Sequence, residues 1–159
     1  MNINSPESNY LDLETAKKFQ EKGISKWIKE KGVEARTFYV EWNQDDPERF
    51  ERDLVIETDS YSGTSFGYYS GNEITADEIA SADEIIPTFT LDQIISVLPG
   101  WVLVLFNPLR SHGGMVGKSK DYKAISNIID KGYLERWNFL KIFSEILIYL
   151  WDKNLLENK

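Results

Sequence analysis

Apolar residues are densest in the stretch YLERWNFLKIFSEILIYL near the end of the sequence, where the consistently polar positions are Asn138, Lys141 and Glu145. A helix over this stretch shows water only one narrow polar stripe, and apolar residues cover the rest of its circumference. Lys141 and Glu145 interrupt the apolar run, which is therefore too short to cross a bilayer. The pattern predicts a helix over residues 134–151 that lies in the core of the protein.

Alternation of apolar and polar residues predicts three strands in the first half of the chain. Phe38, Val40 and Trp42 fall on one face of the first strand, which is the spacing of a half-buried strand. Residues 54–58 form the second strand, and the turn sequence NQDDPER between the two predicts that they pair antiparallel. Residues 65–69 follow a stretch rich in Gly and Ser and form a short third strand.

Helix start and stop signals predict several shorter helices. Thr90 and Gln93 have the spacing of a capping box, and Pro99 ends the helix that they begin. Thr75 and Glu78 have the same spacing and predict a further capped turn of helix. Apolar residues at helical spacing also predict helices over residues 12–23 and 25–32, which end at Gly23 and Gly32. A further helix is predicted over residues 121–131, which end at Lys131.

Six consecutive apolar residues, 101–106, follow the helix that ends at Pro99. A continuous apolar run of this length is typical of a strand that is buried on both faces. The sequence therefore predicts that residues 101–106 form the central strand of the sheet.

These elements together predict a single α+β domain over residues 11–159, preceded by a frayed polar segment at residues 1–10. The expected sheet is antiparallel or mixed, with about four strands. The long C-terminal helix and the shorter helix over residues 90–98 are expected to pack on one of its faces. With 159 residues and a hydrophobic content of 42%, the chain is long enough to bury one core.

Cysteine is absent from the sequence, and His112 is its one histidine. Neither a disulfide nor a thiolate metal site can therefore form, and a reducing compartment is the expected setting. The first residues lack the basic and apolar regions of a signal peptide, and no apolar run is long enough to span a membrane. These features predict a cytoplasmic protein that binds neither a metal nor another cofactor.

Charge is unevenly distributed along the chain, whose formal net charge is −8. Residues 41–92 contain fourteen acids, and their basic residues are Arg49 and Arg52 alone. A surface of this sign repels phosphate backbones, so DNA and RNA are not expected as direct ligands. Two interpretations remain open: the acidic region binds a basic surface on another protein, or it serves only solubility.

Tyrosines flank the acidic region, and core packing explains them less well than it explains Phe38 and Trp42. An exposed aromatic patch rimmed by acids is typical of a protein-binding surface. The candidate partner-binding residues are Asp45, Asp46, Tyr61, Tyr68, Tyr69, Asp77 and Glu78.

A Gly-rich loop offers an alternative site. Residues 112–119 miss the phosphate-loop pattern G-x-x-x-x-G-K-[ST] by one position, because His112 replaces the first glycine. The loop is predicted to lie between a buried strand and a helix, as that motif requires, but no parallel neighbouring strand or magnesium-binding Asp accompanies it. The candidate anion-binding residues are Gly113, Gly114, Gly117, Lys118 and Ser119.

Residues 63–67, GTSFG, fit the G-x-S-x-G pattern of hydrolases, and residues 111–114, SHGG, are similar to an esterase oxyanion sequence. A nucleophile elbow needs a buried strand before its serine and a helix after it, whereas DSYS and YYSGNE flank this pentapeptide. The sequence therefore favours a simple turn over a catalytic serine, and no catalytic residue is assigned.

Several segments resemble a loosely related group of small proteins encoded by phages and mobile elements. The likeness lies in LETAKKFQEKG near the start, IPTFTLDQIISVLP in the middle and FSEILIYLWDKNLL at the end. The chain departs from the group at Pro99 and Gly100, where the group continues its middle helix, and in an added helix over residues 119–131. The resemblance implies an accessory protein of a phage or prophage, and it implies no mechanism.

The favoured function is therefore that of a non-enzymatic accessory protein of a phage or mobile element. It is expected to bind another protein through the acidic, Tyr-rich region, and inhibition of a host defence factor is one form of this function. One alternative is an immunity protein that neutralises a basic toxin. Another is a small nucleotide-binding protein or hydrolase that uses residues 112–119.

Overall fold

Five strands and seven helices form in the part of the chain that the structure, a computed structural model, describes. The predicted α+β class is thereby confirmed, with five strands instead of about four. The chain divides into two compact units, Met1–Phe89 and Thr90–Lys159. The described residues are 9–42, 52–60, 63–68, 73–105 and 119–156.

The first unit contains the sheet. Its helices are α1 (Leu13–Lys22), α2 (Ile24–Glu30) and α3 (Ala76–Ala80). Its strands are β1 (Thr37–Glu41), β2 (Arg52–Ser60), β3 (Gly63–Tyr68), β4 (Glu73–Ile74) and β5 (Glu84–Thr88). Neighbouring strands are antiparallel in the order β4-β3-β2-β1-β5, so β4 and β5 lie at the edges.

The predicted pairing of the first two strands is confirmed, because Phe38 of β1 lies opposite Val55 of β2. The predicted third strand is confirmed as β3. The strands β4 and β5 were not predicted. β4 is only two residues long, and β5 contains Pro87, which cannot donate to a neighbouring strand and is therefore tolerated at a sheet edge.

One face of the sheet carries a hydrophobic cluster, which α3 covers. Ile79 of α3 packs against this cluster together with Ala82, which follows the helix. Trp42 also donates a hydrogen bond from Nε1 to Asp53 Oδ2 at 2.6 Å. The buried members of the cluster are Val40, Trp42, Val55 and Ile74.

The segment that leads into α1 is bonded to two strands of the sheet through Leu11, which is 2% exposed. Leu11 donates its backbone N–H to the carbonyl oxygen of Phe89 at 3.1 Å. The Leu11 carbonyl oxygen accepts hydrogen bonds from Tyr39 Oη at 2.6 Å and from Thr88 Oγ1 at 3.0 Å. These three hydrogen bonds, the Leu11 anchor, join the start of α1 to β1 and to the end of β5.

A single residue, Gly23, joins α1 to α2. Asp12 caps α1, because its Oδ1 accepts a hydrogen bond from the Thr15 N–H at 2.8 Å, and α1 packs against β5. Gly23 has a φ of 86°, a left-handed conformation that costs a residue with a side chain about 1–2 kcal/mol. The predicted helix stop at this glycine is confirmed, and the position of α1 therefore fixes where α2 begins.

The second unit is helical in its described part. The predicted capping box is confirmed at its first helix: the Gln93 N–H donates to Thr90 Oγ1 at 3.3 Å, and the Thr90 N–H donates to Gln93 Oε1 at 2.9 Å. The last helix packs against the first and the third. These helices are α4 (Leu91–Val97), α5 (Gly100–Val104), α6 (Ser119–Leu134) and α7 (Phe139–Asp152).

The prediction of a central strand over residues 101–106 is wrong, because α5 occupies most of that segment. A short apolar run does not by itself distinguish a strand from a buried turn of helix. Here the Val102 N–H donates to the Pro99 carbonyl at 3.0 Å, which begins a helical turn. Val102 is fully buried, and Trp101 packs edge-on against Tyr122 of α6, with 5.0 Å between the ring centroids. The central strand of the sheet is β2 instead.

The last helix begins later than predicted, at Phe139 instead of residue 134. The preceding helix α6 continues to Leu134, and Arg136 then has a left-handed φ of 59°. Asn138 caps α7 by accepting the Lys141 N–H on its Oδ1 at 2.8 Å. The prediction of a core helix is confirmed by the residues of α7 that are buried: Leu140, Ile142, Phe143, Ser144, Ile146, Leu147 and Leu150.

Gly132 lets α6 approach α7 closely. A Cβ atom added at this glycine would lie 2.5 Å from Ile142 Cγ1 and 3.2 Å from Trp137 Cε3. The two helices are also joined by a hydrogen bond from Tyr149 Oη to Asp121 Oδ1 at 3.1 Å. Burial, and then this contact with a carboxylate, raises the pKa of the Tyr149 phenol above its ordinary value.

Gly132→Ala is expected to lower the free energy of unfolding by about 1–3 kcal/mol, because the added methyl group overpacks the contact between α6 and α7. This loss outweighs the preference of helices for Ala over Gly, which is about 1 kcal/mol. Gly100→Ala is the matched control, since a Cβ there meets nothing within 4 Å. Urea unfolding followed by circular dichroism measures both variants. Equal stability of the two variants would contradict the close approach.

Candidate functional site

Most of the predicted partner-binding residues lie outside the described residues: Asp45, Asp46, Tyr61 and Tyr69. Tyr68 is described and ends β3, where it lies opposite Val55. Its half-buried ring packs against the hydrophobic cluster, so part of this side chain belongs to the core.

The two predicted acids in α3 have different surroundings. Asp77 is exposed. Glu78 is half-buried and completes the predicted capping box: its Oε1 accepts from the Thr75 N–H at 3.4 Å, and its own N–H donates to Thr75 Oγ1 at 3.1 Å. Glu78 therefore stabilises the start of α3, and Asp77 is the one of the pair that is free to face solvent.

Two further acids of the middle region are engaged within the first unit. Glu41 forms an ion pair with Lys17, with 2.8 Å between Oε1 and Nζ. Asp53 accepts the indole hydrogen bond of Trp42. Some of the carboxylates in residues 41–92 therefore make contacts within the first unit and are not available to a partner.

Residues 76–85 carry three exposed carboxylates, and these residues are called the acidic surface below. Ile79 packs inward from α3, and the exposed residues around it are small or acidic. Ile85 is 38% exposed and lies opposite Val40, so it points to the face of the sheet that α3 covers. The exposed acids of this surface are Asp77, Asp83 and Glu84, and no ion pair involves them among the described residues.

The alternative anion site lies almost entirely outside the described residues. Gly113, Gly114, Gly117 and Lys118 are not described, and Ser119 begins α6. The helix α5 stands where a phosphate loop needs a buried strand, so the context that the motif requires is not met. Residues 63–67 lie wholly within β3, which excludes a strand-to-helix nucleophile elbow at Ser65.

Within the described ranges, no group of three or more His, Cys, Asp or Glu residues is placed to hold a metal ion. No helix among the described residues has the length and apolar character needed to cross a membrane.

A cavity of about 510 Å³ lies between α2 and the sheet in the first unit. This volume is in the range of sites that hold small organic molecules. One side of the cavity is apolar and includes Phe38 and Pro87, which lie opposite each other in β1 and β5, and also Phe89. The cavity thus rests on the strands that the Leu11 anchor joins.

The other side of the cavity is polar. Lys26 and Lys29 of α2 line it and are exposed, and Glu57 of β2 lines it and is half-buried. Gln20 lines it as well, and its Nε2 donates to the carbonyl oxygen of Ile85 at 3.3 Å. Positive and negative side chains therefore line the same cavity as the apolar residues of the sheet.

Ser25 is the most unusual residue of this cavity. It is 7% exposed, and its Oγ has no hydrogen-bond partner among the described residues. A buried hydroxyl without a partner costs about 1–3 kcal/mol, so such groups are rare unless something else satisfies them. The position of Ser25 indicates that a molecule entering the cavity can take this hydrogen bond.

Sequence reasoning missed this cavity for a physical reason. Over residues 25–32 the sequence predicted only a short helix, and it assigned no function to the polar residues of that helix. The cavity depends on how α2 meets β1, β2 and β5, which are distant in sequence. The local signal was a serine beside Ile24 on the buried side of a short helix, and that signal is weak.

Neither a family model nor a curated protein or solved structure matches this chain.

Ser25→Ala is expected to leave the free energy of unfolding unchanged or to raise it by up to about 1 kcal/mol, because the variant removes a buried hydroxyl that has no partner. Ser144→Ala is the matched control: it is also a buried serine in a helix, but its Oγ donates to the Leu140 carbonyl at 2.6 Å. Helix propensity changes equally in both variants and cancels from the comparison. Urea unfolding should show Ser144→Ala to be the less stable by about 1 kcal/mol. The reverse order would mean that the Ser25 hydroxyl is bonded.

Proposed function

We propose that the protein is a non-enzymatic binding protein that contacts a basic surface of another protein through its acidic surface. The observation that carries this proposal is that residues 76–85 present three exposed carboxylates, those of Asp77, Asp83 and Glu84, together with a partly exposed isoleucine, Ile85. Protein-binding surfaces usually combine apolar and charged side chains in this way. The partner is expected to present Lys or Arg side chains around an apolar contact.

The local charge of the chain supports a basic partner. No Lys or Arg occurs between Arg52 and Arg110, so the acidic surface has no cation of its own segment to neutralise it. Complementary charge of this kind mainly raises the rate of association and discriminates against acidic partners. Small exposed residues such as Ala76, Ala80 and Ser81 lie beside the carboxylates, which lets long basic side chains approach closely.

The biological setting comes from the resemblance to phage and mobile-element proteins alone. Under that resemblance the partner is a host protein, and inhibition of a defence factor is the form the proposal takes. Neutralisation of a basic toxin uses the same surface and the same chemistry. The identity of the captured partner separates the two.

Neutralising the acidic surface is expected to weaken binding of the partner. The variant combines Asp77→Asn, Asp83→Asn and Glu84→Gln, and it should slow association about tenfold at low salt, because electrostatic steering is lost. The control combines Glu21→Gln, Glu30→Gln and Asp130→Asn, which are exposed acids elsewhere, and it changes the net charge equally.

The measurement compares the wild type, the variant and the control in capture from host lysate, followed by association kinetics with the recovered protein. The proposal expects a protein that the wild type and the control retain, that the variant releases, and whose affinity falls as salt screens the charges. Retention of the partner by the variant would contradict the proposal, and equal loss of the partner from the variant and the control would show that net charge, and not this surface, determines binding.

A further inference from the structure

Four polar groups around the cavity can bond a ligand. The buried Oγ of Ser25 has no hydrogen-bond partner among the described residues, and no ion pair within the described part of the chain involves the ammonium groups of Lys26 and Lys29 or the carboxylate of Glu57. Ser25 and Lys29 are four residues apart on α2 and therefore lie on one side of the helix, whereas Glu57 projects from β2. Donors for an anion thus come from the helix, and an acceptor for a cation comes from the sheet.

The sheet also supplies the apolar part of the cavity. Phe38 and Glu57 project from the same face, because Phe38 lies opposite Val55 and side chains alternate along β2. Pro87 lies opposite Phe38, and Phe89 follows β5. A ligand that contacts all of these groups has an anionic group, a cationic group and an apolar body.

We infer that the cavity binds a small zwitterion with an apolar side chain, of the class of free apolar amino acids. The ligand carboxylate accepts hydrogen bonds from Ser25 Oγ and from the ammonium groups of α2. The ligand ammonium group pairs with Glu57, and the apolar side chain packs on Phe38 and Pro87. A cavity of about 510 Å³ holds an aromatic amino acid together with water.

Simple anions fit this arrangement less well. Phosphate or a nucleotide would use Lys26 and Lys29, but it would bring negative charge to a cavity that Glu57 also lines. An uncharged apolar molecule would leave the Ser25 hydroxyl without a partner. The zwitterion is the class that satisfies the hydroxyl and both signs of charge. This site shares no residue with the acidic surface, so a negative result for one proposal does not affect the other.

The test is isothermal titration calorimetry of the full chain, with L-phenylalanine and L-leucine as probes. N-acetyl-L-phenylalanine lacks the ammonium group, L-phenylalaninamide lacks the carboxylate, and 3-phenylpropionate keeps only the carboxylate and the ring. Each of these three is expected to bind at least about tenfold more weakly than L-phenylalanine, because each leaves a charged protein group unpaired. Inorganic phosphate is expected not to compete.

Variants assign the contacts. Ser25→Ala is expected to weaken L-phenylalanine about tenfold, since it removes a hydrogen bond to the ligand carboxylate. Glu57→Gln should weaken L-phenylalanine by a similar factor without weakening 3-phenylpropionate, which has no ammonium group to pair with Glu57. Lys123→Met removes an exposed lysine of α6 and is the control that should bind as the wild type does.

Three results would overturn the inference. One is the absence of saturable binding of both amino acids up to about 10 mM, which lies above the range of specific small-ligand affinities. Another is equal affinity for L-phenylalanine and 3-phenylpropionate, which would mean that the site binds monocarboxylates. The third is unchanged L-phenylalanine affinity in both Ser25→Ala and Glu57→Gln.

Discussion

The carbonyl oxygen of Leu11 holds the first part of the chain on the sheet. It lies just before α1, is buried, and accepts hydroxyl hydrogen bonds from two strands. A buried carbonyl must find donors inside the protein, and here Tyr39 and Thr88 come together only when β1 and β5 are paired. Sheet formation and docking of α1 are therefore coupled. Docking of α1 also fixes the position of α2, because the two helices are separated by a single left-handed residue, Gly23.

Both proposed surfaces follow from that framework. The cavity exists because α2 is held near the face of the sheet that carries Phe38 and Glu57. In α3, Ile79 packs on the hydrophobic cluster of the same sheet, and Asp77 stays exposed as part of the acidic surface. The sequence could predict that acids concentrate in residues 41–92. It could not predict that Glu41 and Asp53 are engaged inside the unit, because Lys17 and Trp42 reach them only after the strands have paired. The buried hydroxyl of Ser25 depends on tertiary contacts in the same way.

Sequence signals formed by residues close together in the chain predicted several helix ends and the first strand correctly. The capping boxes at Thr75 and Thr90, the stop at Gly23 and the alternation in β1 each depend on residues close in sequence, and all four are present. The strand predicted over residues 101–106 was wrong because its conformation depends on tertiary contacts. An apolar run indicates that a segment is buried, but it does not indicate whether the backbone hydrogen bonds form within a helix or between strands. That choice depends on which other segments pack against it. The strand β5 was missed because Pro87 is unfavourable in a central strand and permitted at an edge, a distinction that exists only in the assembled sheet.

A double-mutant cycle on the donors to Leu11 tests the coupling most directly. Tyr39→Phe and Thr88→Val each remove one hydroxyl and leave the carbonyl with the other, so each should lower the free energy of unfolding by about 0.5–1.5 kcal/mol. The double variant leaves a buried carbonyl without either hydroxyl, and its loss should exceed the sum of the two by about 1 kcal/mol or more. Tyr39→Phe combined with Ser144→Ala shares no acceptor and should be additive. Additive losses for Tyr39→Phe with Thr88→Val would contradict the account, since they would mean that the Leu11 carbonyl does not depend on this pair.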